Sequence, residues 1–117
     1  RRRRVGQRSG LEHVNRGEVW LAETGGKRRP VVVLTRDEVL DVRSLVTVVE
    51  ITTQVRGLVV EVPLEHGVVG LEQPSVVNCD GLQTVPQAAL TSRVGSVGDD
   101  DLRAVCDAVA EALGCSP

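Results

Sequence analysis

Short valine-rich segments of strand length follow one another along most of this chain, and a single segment with a helical repeat comes last. β-Branched residues pack well on pleated, half-buried surfaces, so these segments predict a sheet. Phe and Tyr are absent and Trp20 is the sole aromatic residue, which leaves valine and leucine to fill the core. The predicted strands are residues 18–23, 30–34, 45–53, 58–64, 75–85 and 93–97.

The segments between the predicted strands are mostly short. Residues 24–28 form the first loop, and residues 37–41 form either one helical turn or a loop. Residues 65–74 form a longer loop. Gly81 favours a bend or bulge within the fifth strand, and residues 86–90 begin with a proline that suits a short turn or helix.

Residues 99–113 are predicted to form the one clear helix. Three aspartates at its start suit the positive end of the helix dipole, and Gly114 ends it. One apolar face, which we expect to dock on the sheet or on a partner subunit, contains Leu102, Val105, Cys106, Val109 and Leu113. Five to seven short strands followed by a helix predict a mainly β fold, a small antiparallel barrel or half-barrel.

The length of 117 residues suits one domain with one modest core. Residues 1–15 are predicted to be a disordered basic arm, and residues 16–117 a single folded domain. No apolar run approaches the roughly 20 residues of a membrane helix, and the four arginines at the start have no apolar stretch behind them. We therefore expect a soluble, cytoplasmic protein.

The charge of the chain is unevenly distributed. The formal net charge is −2, but residues 1–29 hold nine Lys and Arg against three Glu, and residues 30–117 hold five Arg against thirteen Asp and Glu. Such a chain can present a basic edge to phosphate and an acidic face elsewhere. Half of the basic excess lies in the predicted arm, which weakens this inference.

The cysteines and histidines do not form a recognisable metal site. Cys79, Cys106 and Cys115 include no Cys-x-x-Cys pair, so we expect free thiols and no bound metal or other cofactor. A pair of histidines is the usual acid and base for RNA cleavage. His13 falls in the predicted arm and His66 in a predicted loop, and we expect neither to be essential.

Several motifs, in order along residues 16–114, resemble those of the MazF/PemK toxins. They are Arg16-Gly17-Glu18-Val19-Trp20, Arg29-Pro30-Val31-Val32-Val33-Leu34, Ile51-Thr52-Thr53-Gln54, Gly70-Leu71, Ser75-Val76-Val77 and Gln83-Thr84-Val85, followed by the helix that starts with aspartates and ends at Leu113-Gly114. Each motif alone is weak, whereas the whole set in order at suitable distances is a strong signal.

The resemblance implies an SH3-like barrel of the CcdB/PemK type with a C-terminal helix. It also implies a homodimer that cleaves single-stranded RNA at short sequences, inhibits translation and is neutralised by a cognate antitoxin. In that family the Arg before the Pro and the Thr after the Ile form the catalytic pair, which here are Arg29 and Thr52. No metal is implied, because RNA supplies its own nucleophile, the 2′-hydroxyl.

The chemistry of these two residues fits that role. A guanidinium stays charged and matches two phosphate oxygens, so Arg29 is expected to stabilise charge on the phosphate. The hydroxyl of Thr52 is expected to donate to the developing oxyanion or to position the 2′-hydroxyl. Taken without the resemblance, Arg29 reads as part of a solvated basic turn and Thr52 as an ordinary strand residue.

Other residues near these two are candidates for substrate binding. Lys27, Arg28 and Arg56 are expected to contact phosphates, while Thr53 and Gln54 are expected to reach base edges. Trp20 either packs in the core or stacks on a base, and its strand position favours the core.

The chain departs from the pattern of many relatives at three places. A Glu-Gln pair ahead of the Arg-Pro is replaced by Lys27 and Arg28, Glu50 stands where relatives often have Pro, and Gln83 stands where many have Arg. These changes affect the expected RNA preference more than the chemistry. The alternative function is that of a non-enzymatic, CcdB-like toxin, which binds and poisons a topoisomerase.

Overall fold

The computed structural model describes residues 13–115, apart from the side chains of His66 and Val68. The predicted arm therefore lies mostly outside the described residues. The strands are β1 (Glu18–Thr24), β2 (Lys27–Val33), β3 (Leu45–Thr52), β4 (Glu61–Leu64), β5 (Ser75–Pro86) and β6 (Leu90–Ser96). The helices are α1 (Asp37–Leu40), α2 (His66–Val69) and α3 (Asp99–Ala112), with a 3₁₀ turn over Gln87–Ala89.

The six strands form one antiparallel sheet in the order β4-β5-β3-β2-β1-β6. The sheet is not closed, because the order ends at β4 and β6. The segment after β4 lies between these two edges: a Cβ added at Gly70 would collide with the carbonyl oxygen of Val94, and one added at Gly95 would collide with that of Val69. The predicted small barrel or half-barrel with a C-terminal helix is confirmed in its open form.

The first hairpin is tighter than the sequence predicted. Thr24 pairs with Lys27, so the predicted loop 24–28 is a two-residue turn of Gly25 and Gly26. Both glycines have positive φ, +56° and +78°, as two-residue hairpin turns that match the twist of the strands require. Strand β2 consequently begins at Lys27 and not at residue 30, and its first three residues are basic.

The fourth strand was predicted too long. It begins at Glu61, and the three residues before it belong to a loop in which Leu58 is 45% exposed. The Glu61 carboxylate accepts backbone N–H bonds from Arg56, Gly57 and Leu58 at 2.9–3.2 Å. These bonds hold the backbone in a turn, so the apolar alternation before Glu61 is not part of the ladder.

Two other predicted segments differ from the structure, and two agree with it. The predicted loop 65–74 contains α2, and β6 begins at Leu90 and not at residue 93. Residues 37–41 contain a helical turn, one of the two predicted alternatives. The predicted bend near Gly81 is confirmed, because the β3–β5 register shifts between Val49, which pairs with Leu82, and Glu50, which pairs with Asn78.

Two apolar clusters cover the two faces of the sheet. The first contains Val32, Val49 and Val77, and helix α3 packs against it through the buried Val105. The second contains Trp20, Val31, Val48 and Leu90. The predicted docking face of α3 is confirmed for Leu102, Val105 and Val109. Cys106 instead contacts Arg16, and Leu113 is 60% exposed.

The ordered contacts begin before the predicted domain start at residue 16. Val14 is buried in the second cluster, and the N–H of Asn15 donates to the Glu18 carboxylate at 2.8 Å. No helix among residues 13–115 has both the length and the hydropathy needed to cross a bilayer.

Candidate active site

Arg28 and Arg29 are neighbours in β2 but lie on opposite faces of the sheet. Successive side chains of a strand alternate between the two faces, so Arg29 shares its face with the buried Val31. Arg28 pairs across the hairpin with Glu23, whose Oε2 is 2.7 Å from its Nη2. Both members of that pair are more than half exposed, which makes it a surface ion pair.

A small open cavity lies where β2 and β3 separate. Their ladder ends at the pair Val31–Glu50; beyond it β2 stays paired with β1, and β3 stays paired with β5. If the β2–β3 register is continued by two residues beyond this last pair, Arg29 lies opposite Thr52. The cavity has a volume of about 180 Å³ and is lined by Arg29, Pro30, Ile51, Thr52, Thr53 and Ser75.

Arg29 is held on one side by Glu50. Its Nη1 donates to Glu50 Oε2 at 3.0 Å, and the two side chains are 41% and 24% exposed, respectively. Arginine has five N–H donors, so this bond uses only a part of the guanidinium. Arg29 can therefore meet an anion in the cavity while it remains bound to Glu50.

The hydroxyl of Thr52 accepts a hydrogen bond from the backbone N–H of Gln54 at 3.1 Å. A hydroxyl that accepts one bond still carries a proton that it can donate. Thr52 also lies two residues after Glu50 on the same strand and hence on the same face. One face of the sheet thus ends in a polar group formed by Arg29, Glu50 and Thr52, while the rest of that face belongs to the apolar core.

The remaining sequence-based candidates divide into two sets. Thr53 lines the cavity with Arg29 and Thr52. Lys27 is exposed at the hairpin, while Gln54 and Arg56 are exposed in the segment after β3. None of these three, nor Arg28, lines the cavity, so the structure does not bring them to the predicted catalytic pair.

A larger, open cavity adjoins the first and shares Pro30, Thr53 and Ser75 with it. Its volume is about 540 Å³, and its other lining residues are Leu21, Gly70, Leu71, Glu72, Gln73 and Val94. The lining combines apolar side chains with polar ones. A chain of nucleotides bound at Arg29 would have room to continue along this surface.

Trp20 belongs to the core and cannot stack on a nucleobase. It is fully buried, and its indole Nε1–H donates to Glu18 Oε1 at 2.9 Å. Glu18 also forms an ion pair with Arg93, whose Nε lies 3.0 Å from Glu18 Oε2. The core alternative that the sequence favoured for Trp20 is therefore the one observed.

The cysteines and acidic residues do not add a second reactive centre. All three cysteines are free, and burial, with the charge of Asp80, raises the pKa of the Cys79 thiol to about 11. Cys79 is therefore a neutral thiol at physiological pH and a poor nucleophile. Among the side chains that the structure describes, no group of three His, Cys, Asp or Glu is placed to hold a metal ion.

Two residues of this site were not among the sequence-based candidates. Glu50 was noted only as a departure at its position, although strand alternation would have set it on the face of Thr52. Ser75 follows a loop, and its place in the cavity depends on the β3–β5 pairing. Its buried hydroxyl donates to the carbonyl of Gln73 at 2.9 Å.

The fold and the cavity together define a small antiparallel β protein in which an arginine and a threonine line one open cavity. The sequence pattern of the PemK-like, MazF-like toxins of type II toxin–antitoxin systems matches residues 15–113. The chain belongs to that family.

Individual relatives agree with this assignment. The chain is 43% identical over 104 residues to a probable endoribonuclease, MazF5, of Mycobacterium tuberculosis, covering 86% of this chain and 94% of the relative. It is 48% identical over 88 residues to the endoribonuclease MazF3 of the same organism, covering 75% and 81%. The structure of the M. tuberculosis toxin MazF-mt6 superposes with a TM-score of 0.79 at 40% identity, covering 86% of this chain and 99% of that one.

Proposed function

We propose that this protein is an endoribonuclease toxin that cleaves single-stranded RNA at specific short sequences, without a metal ion, and thereby inhibits translation and growth. The observation that carries the proposal is the placement of Arg29 and Thr52 in one open cavity between β2 and β3. Relatives with up to 48% identity are named endoribonucleases, which supports the same activity here.

Cleavage by attack of the 2′-hydroxyl suits these two side chains. The 2′-oxygen loses its proton and forms a bond to phosphorus, the bond to the 5′-oxygen breaks and that oxygen gains a proton, and negative charge gathers on the other phosphate oxygens. Arg29 stabilises that charge with charge-assisted hydrogen bonds, and Thr52 donates a further bond. The products are a 2′,3′-cyclic phosphate, or the 3′-phosphate formed when it opens, and a 5′-hydroxyl.

The substrate-binding residues of this proposal extend the basic edge of the hairpin. Thr53 is next to the scissile position, since it lines the cavity with the catalytic pair. Lys27 and Arg28 lie in the same strand as Arg29, and Gln54 and Arg56 follow Thr52 along the chain. These four would contact nucleotides flanking the cleaved bond, the basic ones through phosphate and Gln54 through a base edge.

The proposal includes two protein partners and a cellular location. A second copy of the chain would complete a homodimer, and a cognate antitoxin would neutralise the enzyme in the cytoplasm. A MazF-like fold has been solved in complex with its cognate antitoxin, at 22% identity and a TM-score of 0.78. An acidic antitoxin segment laid over the basic hairpin would compete with RNA for the same cations.

The alternative function, that of a topoisomerase-poisoning toxin of the same barrel superfamily, is not favoured. Two relatives, at 43% and 48% identity, are named as endoribonucleases. A protein that only binds another protein also does not need a guanidinium and a hydroxyl placed together in an open cavity.

The direct test is incubation of purified protein with a long single-stranded RNA in the presence of EDTA, followed by chemical analysis of the fragment ends. We expect discrete fragments with 5′-hydroxyl termini. A 5′-phosphate on the downstream fragment would contradict attack by the 2′-hydroxyl, and absence of fragments would contradict the enzymatic function. Sequencing the 5′ ends from a defined RNA pool gives the cleavage motif.

A further inference from the structure

The ion pair between Arg29 and Glu50 is unlike the other arginine–glutamate pair of the hairpin. Glu23 and Arg28 are 52% and 60% exposed, and they face solvent at the surface. Glu50 is 24% exposed and lies on β3, which pairs with β2 on one side and with β5 on the other. A partly buried carboxylate loses hydration, so Glu50 gains more from its arginine than Glu23 does.

The backbone around Glu50 makes room for its carboxylate. The register between β3 and β5 shifts next to Glu50, and Gly81 lies in the bulge so formed. A Cβ added at Gly81 would come within 3.0 Å of both Glu50 Cβ and Oε1, closer than real Cβ atoms normally approach. The bulge and the glycine therefore leave room for the carboxylate, whose Oε2 accepts a hydrogen bond from Nη1 of Arg29.

We propose that Glu50 is a positioning residue, which holds the Arg29 guanidinium by Nη1 so that its remaining donors face the phosphate in the cavity. The proposal rests on the function proposed above and deepens it. The arginine side chain has many rotamers, and ordering it costs conformational entropy. If the side chain is already oriented before substrate binds, the reaction does not have to include that entropic cost. Thr52 needs no such support, because its short side chain is fixed by its strand.

The charge of Glu50 has a second, opposite consequence. A carboxylate next to the phosphate site repels RNA and partly neutralises Arg29, so it weakens binding while it improves the geometry. Removal of that charge is expected to tighten RNA binding by about threefold, as for one charge at several ångströms in a partly screened site. The same removal is expected to slow cleavage by about tenfold or more, because a small misplacement of a catalytic group is costly.

The test compares Glu50→Gln, which keeps the shape and one acceptor, with Glu50→Ala, which removes both, and with Glu23→Gln as the matched control. The measurements are kcat and KM for a single-site RNA, and Kd for the same RNA with a 2′-deoxynucleotide at the cleaved position. We expect kcat to fall in the order wild type, Gln, Ala, with Kd lowered in both Glu50 variants. Glu23→Gln should leave kcat unchanged. A merely structural role would not produce slower cleavage together with tighter binding.

Nitrogen NMR of the arginine side chains gives a readout that does not need turnover. A guanidinium held by an ion pair rotates slowly and shows separate Nη signals, so Arg29, assigned by comparison with Arg29→Lys, should show them in wild type and lose them in Glu50→Ala. Wild-type kcat in Glu50→Ala, or a Kd that rises with the fall in kcat, would overturn the positioning role while the endoribonuclease function stands. A wild-type protein that cleaves no RNA overturns both.

Discussion

Two adjoining regions of the molecule hold their side chains in different ways. One is the end of the β2–β3 ladder, and the other is the segment that follows β3. Arg29 lies on β2, which is paired with β1, and Thr52 lies on β3, which is paired with β5; Val31 and Ile51, close by on these strands, are buried. Residues 53–60 are exposed almost throughout, and their backbone is tied by one carboxylate, that of Glu61. A rigid ladder suits chemistry that tolerates little displacement, and a tethered loop suits recognition of a variable chain.

The largest expected difference within this comparison is between the two adjacent arginines of β2. Arg29→Ala should lower kcat by at least about 10²–10³-fold, because it removes the charged donor that meets the phosphate. Arg28→Ala, on the opposite face, should change kcat/KM only a few-fold. Cleavage assays on a single-site RNA measure both, and thermal unfolding checks the folds.

Equal effects of the two substitutions would contradict the assignment of catalysis to the cavity. A large fall in melting temperature in Arg29→Ala would instead show that the ion pair with Glu50 is structural.

Thr52→Val should have the next largest effect. Valine keeps the shape and the β-branch but removes the hydroxyl, so we expect kcat to fall by about 10²-fold with little change in KM. Thr47→Val is a suitable control, since Thr47 lies in the same strand and its hydroxyl contacts that of Thr84 at 3.1 Å, away from the cavity. Rate constants for both variants under saturating RNA make the comparison. An unchanged kcat in Thr52→Val would remove Thr52 from the chemistry.

Glu61→Ala should act on the loop and leave the ladder unaffected. The variant loses the acceptor of the N–H groups of Arg56, Gly57 and Leu58. Hydrogen bonds to a charged group contribute about 1.5–3 kcal/mol, so amide exchange at these three positions should accelerate by about tenfold or more. The amides of β3 should keep their protection, as hydrogen exchange followed by NMR can show.

The same variant should raise KM more than it lowers kcat, because the loop is expected to bind flanking nucleotides. A fall confined to kcat would indicate that the loop takes part in the chemistry, which would contradict the division between a catalytic ladder and an RNA-binding loop.

Arg56→Ala should give the smallest change. A single phosphate contact on an exposed segment contributes a few-fold to Kd, and its loss should reduce the slope of log K against log salt concentration by about 0.7. Titration of the uncleavable RNA at several salt concentrations measures this slope. An unchanged slope would mean that Arg56 does not touch phosphate.

The sequence predicted the site residues better than the way in which they are held. Arg29 and Thr52 were identified through the family's motifs, and the structure brings them to one cavity, although their roles remain predictions. Their partners were not predicted. The pairing of Arg29 with Glu50 depends on the register of β2 against β3, and register is set by which faces are buried in the folded sheet, not by either strand alone.

The errors at strand boundaries have a similar cause. The alternation from Leu58 to Leu64 reads as one strand, but the carboxylate of Glu61 folds the first half into a turn, a contact that hydrophobic periodicity does not contain. Gly25 and Gly26 are turn residues in the sequence, but the predicted loop ran on to residue 28 and the predicted strand began at residue 30, which left the three basic residues 27–29 outside the strand. In the hairpin they extend β2 because β1 supplies the hydrogen-bonding partner.

The class of fold, a C-terminal helix predicted at residues 99–113 and observed at 99–112, the bulge near Gly81 and the family could all be inferred from the sequence, because they depend on local periodicity, turn residues and motif order. Three further features appear only in the folded chain: the sheet stays open, Arg28 and Arg29 lie on opposite faces with different glutamates, and Thr53 and Ser75 share the cavity of Arg29. These features arise from pairing between strands distant in sequence, where burial and backbone hydrogen bonding select one register for the whole sheet.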